Sequence, residues 1–94
     1  MWTLIAETPD FTVHVNDDLL HVSKDYAGVV GEVRDGVLVL PYLWAVERER
    51  CGAAAQRVWM FSLDGELVNA DPHLASGSTV GSAMLTYLCS RGAE

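Results

Sequence analysis

The chain has 94 residues, half of them apolar and a fifth charged, with 13 acids against six lysines and arginines for a formal net charge of −7. A length of this order supports one domain, 1–94, with a thin core, and the apolar share is that of a globular chain rather than a disordered tail. The charge argues against direct nucleic-acid binding and against an anionic membrane surface. No apolar run reaches the ~18–20 residues of a membrane span.

In chain order the sequence reads as short β-type runs joined by turn signals. Trp2 to Ala6 is the first run, closed by Thr8-Pro9-Asp10. Phe11 to Val15 alternates, Asn16-Asp17-Asp18 is read as a turn, and Leu19 to Val22 as the returning strand of a hairpin. Val29 to Val33 follows. Asp35-Gly36 marks a tight turn, because glycine tolerates the positive φ that such turns require. Val37 to Leu40 is an apolar run read as a central strand, which Pro41 ends or places at an edge.

Residues 42–52 fit a helix, with Pro41 at its first turn, an alanine run just beyond and Gly52 as terminator, although strand alternation fits Trp44 and Val46 too. Arg57 to Leu63 reads as a strand from its aromatic content. Asp64-Gly65 marks a second hairpin, Glu66 to Ala70 returns, and Asp71-Pro72 breaks the chain. The last element is a helix: Ser78 as N-cap, then Val80, Met84, Tyr87 and Leu88 at helical spacing, with Arg91 and Gly92 suited to its end. The predicted architecture is α+β, an antiparallel sheet of five to seven short strands with the C-terminal helix packed on one face and room for a second helix at 42–52. Leu38, Leu40, Val58, Met84 and Leu88 are the predicted core.

Four groups of residues invite a functional reading. In a 14–21 hairpin, His14 and His21 share the face opposite Val13, Val15, Leu20 and Val22, and two imidazoles at cross-strand distance could hold a divalent metal or act as a pH switch. The segment Ser76–Thr79 ahead of the last helix presents free N–H groups of the kind that hold anions, without the lysine or spacing of a P-loop. Cys51 and Cys89 lie in no CxxC motif. With no leader-like N-terminus, they read as reduced, buried thiols in a cytoplasmic protein, with a single long-range disulfide as the alternative. No GxSxG or HExxH motif points to an enzyme, and no cofactor is implied.

The fourth group carries the functional expectation. A small acidic domain without catalytic motifs suits a protein-binding module that blocks a basic surface of a larger partner. It is similar in size and charge to phage-encoded inhibitors of host defence, anti-CRISPR proteins among them, and to toxin-neutralising immunity proteins, with no motif in common. The expected contact residues are the turn acids Asp17, Asp18, Asp35, Asp64 and Glu66, with Tyr42 and Trp44 as aromatic anchors. A small-molecule or metal-binding domain and the subunit of a homo-oligomer, such as a homodimer, stay open as alternatives.

Overall fold

The computed structural model describes residues 1–92. Its strands are β1 (Trp2–Glu7), β2 (Thr12–Val22), β3 (Tyr26–Asp35), β4 (Leu38–Glu47), β5 (Ala55–Arg57), β6 (Trp59–Phe61), β7 (Leu67–Asn69) and β8 (Pro72–Leu74). The single described helix, α1 (Val80–Gly92), closes the order. An antiparallel six-stranded sheet runs β1-β2-β3-β4-β6-β7, and β5 pairs with β8 in a small second sheet. The class is α+β, as the run of strands ahead of one amphipathic helix implies.

The two glycine turns form as the sequence indicates. Asp35 pairs with Leu38 across Gly36-Val37, and Gly36 has φ +61°, as a two-residue hairpin with glycine first requires. The turn at Asp64-Gly65 is closed by Ser62 N–H donating to the Glu66 carbonyl over 2.8 Å.

The expected 14–21 hairpin does not form. β2 is one strand of 11 residues, with β1 on one side and β3 on the other. Val15 faces Gly31 and Leu20 faces Val29, so Asn16–Leu19 bulge opposite Val30 alone. A bulge of this kind bends a strand without reversing it. The helix expected at 42–52 is also absent: β4 extends to Glu47, and only Arg48–Arg50 form a 3-10 turn. Here alternation outweighs helix propensity, because Tyr42, Trp44 and Val46 face one side of the sheet while β3 and β6 supply ladders to both edges of Leu43–Ala45. Pro41 is tolerated because β6 reaches only as far as Leu43, which leaves β4 an edge strand at that level.

The core lies between the sheet and α1. Val13, Val15, Val29, Trp44 and Val46 on the sheet meet Met84, Leu85 and Leu88 on the helix, with Val58 alongside. Trp44 crosses Gly31, where a Cβ would stand 2.9 Å from the indole ring. Val58, Met84 and Leu88 are buried as predicted, whereas Leu38 and Leu40 are not. The reason is length. α1 spans 13 residues, ~20 Å at ~1.5 Å each. β3 and β4 have 10 residues apiece, ~33 Å at ~3.3 Å each. The far end of the β3–β4 hairpin projects past the helix with Val37, Leu38, Val39 and Leu40 exposed.

Candidate protein-binding face

Register assigns every side chain of the main sheet to a face, since paired residues point the same way. The helix covers the face of Val13, Val29 and Trp44. On the opposite face, Val30, Leu43, Phe61 and Leu67 form one row across β3, β4, β6 and β7. Ala45 and Trp59 form a second row beside Gly28. Leu4, His14, Glu32 and Pro41 form a third, and Val39 pairs with Arg34 in a fourth. Trp2 and Tyr26 lie at its margins. No described element covers this face: Trp2, Leu4, Tyr26, Val39 and Leu67 are exposed, and Val30, Leu43, Trp59 and Phe61 are half-buried by their own neighbours.

Its charges are balanced near the middle and acidic at the rim. Arg34 Nε lies 2.5 Å from Glu32 Oε1, and the same guanidinium stands 5.4 Å from the Trp2 ring centroid, a cation–π distance. Asp64 and Glu66 mark the turn between β6 and β7, Glu47 with Lys24 and Glu49 nearby the far end of β4, and Asp35 the hairpin tip, where it shares the phase of Val33 and Leu40. Asp64 accepts from the Ser62 hydroxyl, and that bond holds its carboxyl below the ordinary carboxylate value.

The other expected contact residues are elsewhere. Trp44 is 5% exposed and Tyr42 half-buried against it, ring centroids 5.8 Å apart and nearly edge-on, so Trp44 is a core residue and Tyr42 packs onto the core beside it. Asp17 and Asp18 are engaged within the fold. Asp17 accepts from the Thr3 hydroxyl and from the Tyr87 hydroxyl on α1, and Asp18 Oδ2 lies 2.7 Å from the N-terminal amine. The bond from Thr3, then that from Tyr87, holds the Asp17 carboxyl below its usual value. Burial, reinforced by the Asp17 carboxylate, raises the Tyr87 hydroxyl to about 12.

His14 and His21 do share the face opposite Val13 and Val15, but along one strand rather than across a hairpin. Their β3 partners, Glu32 and Gly28, are four residues apart, ~13 Å at ~3.3 Å per residue. That separation is too long for a shared metal, and no group of three or more His, Cys, Asp or Glu side chains with metal-binding geometry occurs among the described residues. At the start of α1 the cap is Thr79 rather than Ser78: Ser82 N–H donates to Thr79 Oγ1 over 3.1 Å. His73 Nδ1 sits 3.0 Å from the same hydroxyl, and its ring packs onto Gly81. The helix start is thus a capping turn with the chain's own imidazole against it. Cys51 and Cys89, expected as free thiols, are joined in a disulfide across a separation of 38 residues.

Sequence reading missed Trp2, Leu4, Val39 and Leu67 as candidates. A signal was present: Val30, Val39, Leu43 and Ala45 put apolar side chains on the second alternation phase of β3 and β4 beside Glu32, Arg34 and Glu47, and one helix covers only one face. No described helix is long and apolar enough to cross a membrane. Comparison with protein-family models, curated proteins and solved structures finds no match to the chain.

Proposed function

We propose that this chain is a protein-binding module that docks the open face of its sheet on a larger partner and blocks a basic surface there. The observation that carries the reading is the uncovered apolar face itself. Four neighbouring strands span ~19 Å at ~4.8 Å spacing, and the long ones run ~33 Å, so the face is on the order of 600 Å². With Thr12, His14, Glu32 and Arg34 counted alongside its apolar side chains, the whole face approaches the ~800 Å² each partner contributes to a standard interface, and exposed apolar side chains rimmed by polar ones mark interaction sites. An apolar centre within an acidic margin is the anatomy of a protein interface, with anchors at the middle and charge at the rim.

The roles follow from position. Trp2, Leu4, Val39 and Leu67 supply the apolar contact, while Asp35, Asp64 and Glu66 steer association with a basic partner. The net charge of −7 supports that sign of partner.

The test is capture from cells of the source organism with the wild-type chain and with a Leu4→Glu/Val39→Glu variant, followed by kinetics on the captured protein. The expected partner is retained by the wild type and lost by the variant. Its on-rate falls between 0.01 and 0.1 M salt, as the Debye length contracts from ~30 to ~10 Å, and falls again in Asp35→Lys/Glu66→Lys. Equal capture by the variant refutes the face. An on-rate indifferent to salt refutes the electrostatic part. Sedimentation as a dimer that Leu4→Glu/Val39→Glu dissociates assigns the face to a second copy instead.

A further inference from the structure

We infer that Cys51 and Cys89 form a reversible thiol–disulfide site, both of whose redox states this fold accommodates; the inference is independent of the partner reading. The two residues stand with Cα atoms 5.5 Å apart and link the 3-10 turn after β4 to the last turns of α1. A disulfide sulfur has no hydrogen to donate, yet each of these sulfurs lies beside an oxygen acceptor. Cys51 Sγ is 3.9 Å from the Glu47 carbonyl oxygen, and Cys89 Sγ is 3.8 Å from Gln56 Oε1. The orientation of the Gln56 amide is fixed, because its Nε2 donates to the same Glu47 carbonyl over 2.6 Å. Gln56 is 6% exposed, and it lines the cleft that opens at the bond, so its amide is held in place beside Cys89. Reduction places an S–H beside each oxygen, and the thiol form gains hydrogen bonds that the disulfide form lacks.

Access is built in as well. A cleft of about 250 Å³ lined by Cys51, Ala53, Gln56, Ala75, Leu85 and Cys89 opens at the bond, and both cysteines are only partly buried. A dithiol can enter there. Its thiolate attacks one sulfur, forming a mixed disulfide and releasing the other cysteine as a thiolate that takes up a proton. The reagent's second thiol then displaces the remaining sulfur, leaving two protein thiols and an oxidised, cyclic reagent. Met84 and Leu88 are fully buried in the core against the sheet, so α1 has apolar anchors besides the bond.

The experiment equilibrates the intact chain with reduced and oxidised dithiothreitol at set ratios. Thiols are counted by alkylation and mass, and near-ultraviolet circular dichroism follows the packing of Trp44 and Tyr87. The expected result is two alkylated cysteines with the aromatic signal retained. In Gln56→Leu the equilibrium moves toward the disulfide by roughly two- to tenfold, the size of one hydrogen bond. The S–H stretching band of the reduced wild type, read by Raman scattering, is expected to be displaced from its free-thiol position, and this holds the inference to account should Gln56→Leu fail to fold. Thiols that appear only as the aromatic signal disappears, an unmoved equilibrium in a folded Gln56→Leu, or an undisplaced S–H band each overturn it.

Discussion

Replacing Tyr87 by Phe removes one hydroxyl and leaves the ring in place beneath the Arg91 guanidinium, which lies 5.5 Å from its centroid. The hydroxyl donates to Asp17, a bond that ties α1 to the bulge of β2 across 70 residues of sequence. A hydrogen bond to a charged group contributes ~1.5–3 kcal/mol. Asp17 is only half-buried and keeps its bond from Thr3, so solvent screening brings the expected loss to ~1–2 kcal/mol at pH 7. At ~4–8 °C per kcal/mol for a domain of this size, the melting temperature should fall by roughly 4–16 °C. The pH dependence has a definite sign. Asp17 is held below its model value of 3.8, so its contribution is complete above that value and is lost as pH falls through the lower folded value. The gap between wild type and Tyr87→Phe should therefore narrow in acid. At the alkaline end Tyr87 is raised from 10.0 to about 12, so the neutral phenol's contribution is complete below pH 10 and is lost as pH rises toward 12. Urea titrations of both proteins from pH 2 to 7 measure the acid limb. A gap that is absent at pH 7, or that stays constant down to pH 2, would refute the reasoning.

Cys51→Ser/Cys89→Ser opens a loop of 38 residues. The chain-entropy relation gives a loss of ~4 kcal/mol, which a shift in the urea midpoint of the oxidised protein against the variant would register. Leu88→Ala should cost ~2–5 kcal/mol, because Leu88 is fully buried, while Leu38→Ala on the projecting hairpin should cost no more than ~0.5 kcal/mol; equal losses would mean that α1 does not cap the core. Gly31→Ala sets a Cβ against the His14 carbonyl and the Trp44 ring, and should lower the melting temperature and change the near-ultraviolet signal of the indole.

Local chemistry made the glycine turns and α1 legible. Gly36 and Gly65 sit where positive φ is needed, and Met84 and Leu88 repeat at one turn of helix. What misled was polarity whose partners are remote. Asn16-Asp17-Asp18 has the composition of a turn, but the groups that satisfy Asp17 come from Thr3 and Tyr87, 14 and 70 residues away. The segment 42–47 became a strand because β3 and β6 supply ladders to its two edges, and those neighbours are not visible in its own propensities. The anchors were sought at Tyr42 and Trp44 because large aromatics dominate interfaces. Both lie on the phase of β4 that α1 happens to cover, and the other phase, with Val39 and Leu43, is the open one.

The chain order of the fold has a consequence during synthesis. Strands β2 to β4 each pair with the strand just before them, so their ladders close as the chain emerges. The helix is made last. Until residues 80–92 leave the ribosome, the face of Val13, Val15, Val29 and Val46 is as bare as the opposite one, and the nascent sheet exposes apolar side chains on both sides. Partly made sheets of that kind are prone to associate with one another. A ribosome stalled upstream of Val80 should therefore carry a sticky intermediate, whereas one stalled on a linker after residue 94 should carry a sheet already sealed on one side.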